Sequence, residues 1–166
     1  MVPAVGNNLD LDQYFDGLNE DLHALALDDM VVVAEHSEVR SATWKILIEG
    51  GLEAYHFKVA HRNTIGPHFE NNPSSYQVFG DHLRSVLPRT SLAKLPQQDR
   101  VVWISPQPLA ADQIHLRLVT LAPKARVGEH EHWARNHAIT QTTLTEDFVI
   151  GESIQACSAS GTNDSM

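Results

Sequence analysis

The sequence contains one cysteine, Cys157, among its 166 residues. A single cysteine cannot close an internal disulfide, so the chain is not one of the small secreted domains that disulfides hold together. The first residues lack the basic and apolar regions of a signal peptide. Both observations predict a cytoplasmic protein.

Positive charge and long apolar runs are also scarce. The chain has 12 Lys and Arg against 21 Asp and Glu, a formal net charge of −9. This balance argues against nucleic acid or an anionic membrane surface as a partner. No apolar run approaches the roughly 20 residues that a membrane-spanning helix needs. The 42% of hydrophobic residues is ordinary for one globular domain of this length. We expect it over 9–157, with flexible ends at 1–8 and 158–166.

The apolar spacing predicts a mixture of helices and strands. Steps of three and four residues predict an amphipathic helix over 11–25, and a second helix is expected over 44–61. Expected strands cover 31–39, 76–79, 101–105 and 114–121, with a turn over 107–112. Ile114, Leu116 and Leu118 alternate, and we expect them to face the core. Helices packed on one antiparallel sheet make an α+β protein.

A last helix is predicted to begin at Thr143. Thr143 stands three residues before Glu146, the spacing of a capping box, in which each side chain binds the other's free backbone N–H. Asp147 would then lie in the first turn, where its negative charge suits the helix dipole.

The clearest chemical motif is an acid followed by two histidines: Glu53, His56 and His61. Two neutral imidazoles and one carboxylate form the facial triad of mononuclear non-heme Fe(II) oxygenases, which leaves positions open for O₂ and substrate. The third ligand must come from elsewhere, and Asp147 is a candidate. Glu53 is three residues from His56, so its carboxylate can accept the ring N–H that does not face the metal.

The spacing of the two histidines is unusual for a helix. Residues five apart lie about 140° apart around a regular helix, so both could not face one ion. A π-bulge would align His56 and His61, and Gly50 and Gly51 weaken the helix just upstream. The alternative is that both are partly buried histidines of an amphipathic helix, with Glu53 an exposed acid and Asp147 a helix-terminal one.

Two longer stretches carry a family resemblance. The first is Thr43-Trp-Lys-Ile-Leu-Ile-Glu-Gly-Gly-Leu-Glu-Ala-Tyr-His56 with Val59-Ala-His61-Arg-Asn-Thr64, and the second is Glu146-Asp147-Phe-Val-Ile-Gly-Glu152-Ser-Ile-Gln155. In this order, the two stretches resemble the catalytic domain of Rieske-type ring-hydroxylating oxygenases. Thr43 stands where the family commonly has Asn, and Gly50-Gly51 where it commonly has Asn-Phe.

The resemblance implies a fold, a metal site and partners. The fold is the helix-grip (START-like) fold, a curved antiparallel sheet around a C-terminal helix, here truncated. The ligands of Fe(II) are His56, His61 and Asp147, and Glu53 is the acid, commonly Asp, that passes electrons from the cluster of a neighbouring subunit. The substrate is an aromatic or other apolar small molecule, the co-substrate is O₂, and the assembly is a homotrimer.

The electron donor is expected on another domain or chain. A Rieske [2Fe–2S] cluster takes two cysteines and two histidines, and this sequence has one cysteine. We therefore expect a Rieske or ferredoxin-type protein as the partner that reduces the iron.

Several other readings of the same residues stay open. Glu146 instead of Asp147 is a possible ligand, and His130-Glu131-His132 is a second candidate metal site, which we expect to be merely exposed. Possible substrate contacts are His68 and His82, and possible apolar walls are Phe57, Phe69, Tyr76 and Phe79. The alternative, which we favour for several of them, is that they are ordinary core residues.

The sequence is compatible with two alternative functions of different classes. The first is an iron oxygenase domain that needs a separate electron donor. The second is a helix-grip module that encloses an apolar ligand and does no chemistry. Imidazole sites accept both iron and zinc, and the carboxylate-containing set favours iron.

Overall fold

A computed structural model describes residues 10–70, 74–90 and 100–160 of the chain. The helices are α1 (Leu11–Phe15), α2 (Asn19–Ala24), α3 (Trp44–Leu52), α4 (Phe57–Ala60) and α5 (His130–Ala159). The strands are β1 (Met30–Arg40), β2 (Ser75–Phe79), β3 (His82–Val86), β4 (Val101–Ala110) and β5 (Gln113–Pro123). Short 3₁₀ turns cover Leu27–Asp29, Gly66–His68 and Lys124–Arg126.

The central sheet has the antiparallel order β1-β5-β4. Its middle strand alternates as predicted, because Ile114 is 0% exposed and Leu116 and Leu118 are each 1% exposed. These side chains form the core with Leu144 and Phe148 of α5. The fold is α+β, with a C-terminal helix packed on an antiparallel sheet, which confirms the predicted fold class.

A separate hairpin joins β2 to β3. Phe79 pairs with His82 across the two-residue turn Gly80-Asp81, and Gly80 has a φ of 53°. Glycine takes this left-handed conformation without the steric cost that other residues meet. The sequence pattern predicted β2, at 76–79, but not β3.

The predicted helix over 11–25 is wrong as one element. The chain reverses after α1 at Asp16 and Gly17, whose φ angles are 45° and 90°. Asp16 caps α1 in the left-handed conformation, and its N–H donates to Asp12 O. A helix cannot continue through two left-handed residues, so α1 and α2 are separate short helices.

Strand β4 is longer than predicted. It continues through Pro106 and Pro108 to Ala110, and the turn predicted over 107–112 is only Ala111-Asp112. Among the described residues β4 pairs on one side only. Proline is tolerated on such an edge strand because its missing N–H faces outward.

The predicted start of the last helix at Thr143 is also wrong, since α5 begins at His130. Thr143 lies in the helix interior, where its hydroxyl donates to Ile139 O at 2.9 Å instead of capping a free N–H. Asp147 is therefore far from the helix N-terminus and gains nothing from the dipole.

Helix α5 ends at Ala159 and so includes the first two residues of the predicted flexible tail, 158–166. The rest of that tail beyond residue 160, and the predicted flexible segment 1–8, lie outside the described residues. None of the helices in the described ranges has the length and apolarity that crossing a bilayer requires.

Candidate metal centre

The histidine motif lies on a broken helix. The helix predicted over 44–61 is interrupted, because α3 ends at Leu52 and Glu53 is extended, with φ −114° and ψ 161°. His56 directly precedes the four-residue α4, and His61 directly follows it. One short helical turn flanked by irregular chain therefore brings the rings together, and the predicted π-bulge is wrong.

The three predicted ligands converge on one point. His56 Nε2 lies 3.1 Å from His61 Nε2. Asp147 Oδ1 lies 2.9 Å from His61 Nε2 and 3.5 Å from His56 Nε2. Within the described ranges, this is the one group of three or more such side chains whose ligand atoms come together.

These separations fit one face of an octahedron. Three donors at right angles around an ion, each about 2.1 Å from it, are about 3.0 Å apart. The observed 2.9, 3.1 and 3.5 Å are close to this value. The residues present therefore suit a mononuclear ion with two nitrogen ligands and one oxygen ligand.

Glu53 holds the outer side of the His56 ring. Its Oε1 contacts His56 Nδ1, and its Oε2 accepts from the His56 backbone N–H at 3.3 Å. A carboxylate at Nδ1 keeps the ring proton there and leaves the Nε2 lone pair free for a metal. The predicted contact is present, but it arises because Glu53 caps the end of α3 and not because it shares a helix face with His56.

Glu146 holds the His61 ring in the same way. His61 Nδ1 donates to Glu146 Oε2 at 2.8 Å, and the Thr64 hydroxyl donates to the same oxygen at 2.6 Å. Successive residues of a helix point about 100° apart, which lets Glu146 and Asp147 contact opposite nitrogens of one ring. Asp147 faces both Nε2 atoms, whereas Glu146 does not. The sequence indicates Glu146 only as a possible replacement ligand, and no motif in it predicts the Thr64 contact.

Asp147 is half-buried, with 30% of its side chain exposed. Burial raises the pKa of its carboxyl group, whereas His61 and His56 lower that pKa and Glu146 raises it further. A buried carboxylate is costly without a compensating positive charge. A cation between the three ligand atoms would supply one.

Glu152 and Gln155, the later residues of the second motif, hold the chain just before α3. Glu152 Oε1 accepts from the Ser41 N–H at 3.2 Å, and Gln155 Oε1 accepts from the Thr43 N–H at 3.3 Å. Thr43 makes no side-chain cap of its own. Side chains of α5 thus hold the backbone that enters α3, the helix that leads to Glu53.

The loop after His61 is tightly packed around Gly66. Gly66 N–H donates to His61 O at 2.8 Å, and a Cβ at Gly66 would lie 2.6 Å from Phe57 O and 2.7 Å from His61 O. Lys58 Nζ donates to Gly66 O at 2.8 Å and to Phe69 O at 2.6 Å. These contacts fix the backbone that carries His61, which is 1% exposed.

A pocket of about 570 Å³ opens beside the ligands. Glu53, His56 and Asp147 lie in its wall, and its volume is in the range of small-molecule sites. Its apolar wall is aliphatic for the most part and comes from α3, β4 and α5. The aliphatic side chains are Ile46, Leu47, Ile48, Leu52, Ile104, Leu144, Ile150 and Ile154.

The residues named from the sequence as possible pocket contacts do not line this pocket. Its wall contains neither His68 nor His82, and none of Phe57, Phe69, Tyr76 and Phe79. The ring of Phe57 packs edge-to-face on Phe69 and on His61. His82 packs against Tyr14 and donates to its carbonyl at 2.9 Å. No local pattern distinguishes the real wall, because its residues come from three distant segments.

The other histidine pair forms no such group. His130 and His132 lie in the first turn of α5, where residues two apart point about 200° apart around the axis. His130 is exposed as expected. His132 is half-buried, with its ring 4.5 Å from that of Trp133.

The chain is similar to known proteins in sequence family and in fold. Residues 27–107 match the model of the family described as "Ring hydroxylating alpha subunit (catalytic domain)". A solved structure of the quaternary ammonium Rieske monooxygenase CntA with an inhibitor has a TM-score of 0.71 and 15% identity, and the match covers 92% of this chain and 47% of that chain. Its complex with L-carnitine has a TM-score of 0.67 and 14% identity, with coverage of 92% and 46%.

The chain thus spans about half the length of these solved structures. At this level of identity the likeness shows the fold. No curated protein sequence matches the chain significantly.

Proposed function

We propose that the chain is a mononuclear Fe(II) oxygenase domain of the family described as ring hydroxylating alpha subunit catalytic domains, whose model matches residues 27–107. In this proposal His56, His61 and Asp147 hold the iron, and an apolar small molecule occupies the adjoining pocket. The domain would extend over 9–157, as the sequence suggests.

One observation carries the proposal. The Nδ1 atoms of both rings lie against carboxylates, Glu53 for His56 and Glu146 for His61. Each ring therefore turns the lone pair of Nε2 inward, toward the other ring and toward Asp147 Oδ1. Three electron-rich atoms about 3 Å apart repel one another unless a cation lies between them.

The donor set favours iron. Two histidines and one carboxylate on one face, with the remaining positions open, are typical of mononuclear Fe(II) oxygenases, and the family match of residues 27–107 supports the same metal. When bound, Fe(II) supplies the redox chemistry and the open positions at which O₂ is activated. Glu53 and Glu146 keep the ring protons on Nδ1, and the aliphatic wall positions the substrate and excludes water.

The electrons would come from a separate [2Fe–2S] protein or domain. Glu53 is the candidate entry point because its carboxylate contacts His56 and is 28% exposed. Tyr55 and Val59, which flank His56 in the sequence, are 76% and 78% exposed and leave this surface open to a docked donor. One of the similar solved structures, a quaternary ammonium Rieske monooxygenase, is described as giving insight into inter-subunit electron transfer. The homotrimer implied by the resemblance stays a prediction.

Metal binding tests the proposal directly. Anaerobic equilibrium dialysis should show one Fe(II) per chain, and His56→Ala, His61→Ala or Asp147→Ala should each remove it. His68→Ala is the matched control, because His68 is exposed and lies outside the site. Equal iron content in the control and the ligand variants would contradict the assignment.

Oxygenation is the second test. With isopropylbenzene as the probe and H₂O₂ as the source of oxygen and electrons, the Fe(II)-loaded protein should form hydroxylated product, and Asp147→Ala should form none. A protein that binds the hydrocarbon but neither takes up Fe(II) nor forms product would instead be the non-catalytic helix-grip module.

A further inference from the structure

Two adjacent glycines, Gly50 and Gly51, lie in the last turn of α3, although glycine weakens a helix relative to alanine. Glycine is required where φ is positive, as at Gly17 and Gly80, or where a Cβ would clash, as at Gly66. Gly50 and Gly51 do not have positive φ angles. Beyond the adjoining backbone, nothing in the described parts of the chain lies within 4 Å of a Cβ at either position. The backbone and packing of α3 therefore do not require these glycines.

The space that the two glycines leave open belongs to the pocket. Gly50 and Gly51 both line it, together with His56 and Asp147 of the candidate metal centre. A side chain at either position would extend from the α3 wall into unoccupied volume, because no neighbouring side chain fills it. The absence of these two side chains thus enlarges the pocket on its α3 side.

Helix α3 is held so that it cannot move inward and close this space. Glu152 and Gln155 of α5 accept from the backbone just before α3, at 3.2 and 3.3 Å. Ile46, in the first turn of α3, lies so close to α5 that a Cβ on Gly151 would be 2.9 Å from Ile46 Cγ2. The two helices are therefore already in contact at the start of α3, and the opening at its end persists.

We propose that Gly50 and Gly51 are specificity-determining residues, which admit a ligand of two linked rings where side chains would leave room for one ring only. The pocket volume, about 570 Å³, lies within the range of small-molecule sites. The inference rests on the proposed function, because it takes this pocket as the substrate site. It adds a size class and the two residues that set it, and at both of them this sequence departs from the family pattern it resembles.

Leucine substitutions test this assignment, because leucine favours a helix and fills an open position. Metal-free parent protein, Gly50→Leu and Gly51→Leu are each titrated with toluene, which has one ring, and with biphenyl, which has two. Both probes are uncharged, so the carboxylates of the wall do not enter the comparison. Shifts of the Gly151 amide in ¹H–¹⁵N spectra report occupancy, since Gly151 lies in the wall and is unchanged in both variants.

Two control variants separate pocket filling from other effects of the substitutions. Gly128→Leu is the matched control, because a Cβ at Gly128 also has nothing within 4 Å but Gly128 lies outside the pocket wall. Gly50→Ala strengthens the helix as leucine does and adds only one methyl group. We expect both controls to bind biphenyl as the parent protein does.

We expect each leucine variant to bind biphenyl at least about tenfold more weakly than the parent and toluene within about threefold of it. Equal losses for the two probes, an unchanged biphenyl affinity, or an equal loss in Gly128→Leu would overturn the inference. A parent protein that does not bind biphenyl would also overturn it. Unfolding of either leucine variant would contradict it as well, because it would show that these positions are not open.

The iron site is tested separately from this selectivity. Fe(II) uptake in the dialysis experiment should be the same in Gly50→Leu, Gly51→Leu and the parent protein, because neither glycine is a ligand. Loss of size selection with normal iron uptake would contradict this inference alone. Absence of iron uptake by the parent protein would contradict the proposed function, whatever the pocket binds.

Discussion

The two halves of the candidate metal centre are held in place by different interactions. The histidine half, residues 44–69, contains α3 and α4, neither of which has a fully buried residue. Polar contacts hold this half in place. They are made by the Lys58 ammonium, by the Gly66 N–H and by the Glu152 side chain of α5, which accepts from the backbone before α3. The carboxylate half is α5, whose apolar side chains pack on β5. The position of Asp147 therefore depends on the core, whereas the positions of the rings depend on a few directional hydrogen bonds.

The largest expected effect is a loss of stability in the carboxylate half. Phe148 is 3% exposed in the core cluster, so Phe148→Ala should lower the free energy of unfolding by about 3–5 kcal/mol. Urea unfolding measures the change. The neighbouring Val149 is 63% exposed, and Val149→Ala should change stability by less than about 0.5 kcal/mol. Similar losses in the two variants would show that α5 is not anchored through this face.

A smaller effect is expected from the crowded loop of the histidine half. Gly66→Ala forces a Cβ against Phe57 O and His61 O, and we expect a loss of about 1–3 kcal/mol together with weaker Fe(II) binding. Gly50→Ala is the control, because nothing lies within 4 Å of its Cβ position and alanine favours a helix. Differential scanning calorimetry and metal titration check both. Unchanged iron affinity in a folded Gly66→Ala protein would separate this loop from the site.

The next largest effect is a loss of Fe(II) affinity, without a loss of stability. Glu146→Ala removes the acceptor of the His61 Nδ1–H, and we expect Fe(II) to bind about 10–100-fold more weakly. Glu146→Gln keeps an acceptor oxygen and should retain most of the affinity, whereas Thr64→Val should cost less than Glu146→Ala. Anaerobic titrations measure all three, with the exposed Glu70→Gln as control. A Glu146→Ala protein with unchanged affinity would show that this carboxylate does not orient His61.

The smallest effect concerns pH and the contact of α5 with the sheet. Burial, with a further contribution from His36, lowers the pKa of His137, whose Nδ1 lies 2.9 Å from the Thr120 hydroxyl. The folded chain thus binds this proton less readily than the unfolded chain, and stability should fall as pH drops below about 6.5, the ordinary histidine pKa. Urea unfolding between pH 7.5 and 5.5 should show a shallower slope for His137→Gln. An identical slope in the variant would exclude His137 as a contributor.

The core strand and the ligand set could be predicted from the sequence, but the convergence of the ligands could not. The alternation of Ile114, Leu116 and Leu118 was sufficient to place β5 in the core, because a strand buries every second residue. The ligand set followed from the two motifs and their resemblance to a family. Its convergence depends on α5 packing beside the α3–α4 segment, which no local pattern encodes.

The errors have physical causes in particular residues. Thr143 and Glu146 have the spacing of a capping box, but the spacing does not exclude a helix that starts 13 residues earlier. Glu53 and His56 have helical spacing, yet Glu53 is extended and ends α3. The role of Glu146 depends on His61, 85 residues away in the chain, so only the assembled fold reveals it.

Anomalous diffraction at the iron edge, from crystals soaked anaerobically in Fe(II), would locate the bound ion. We expect a single strong peak between His56 Nε2, His61 Nε2 and the Asp147 carboxylate, with Glu53 and Glu146 still on the outer nitrogens of the two rings. No peak at this position, or a peak coordinated by Glu146 in place of Asp147, would contradict this assignment.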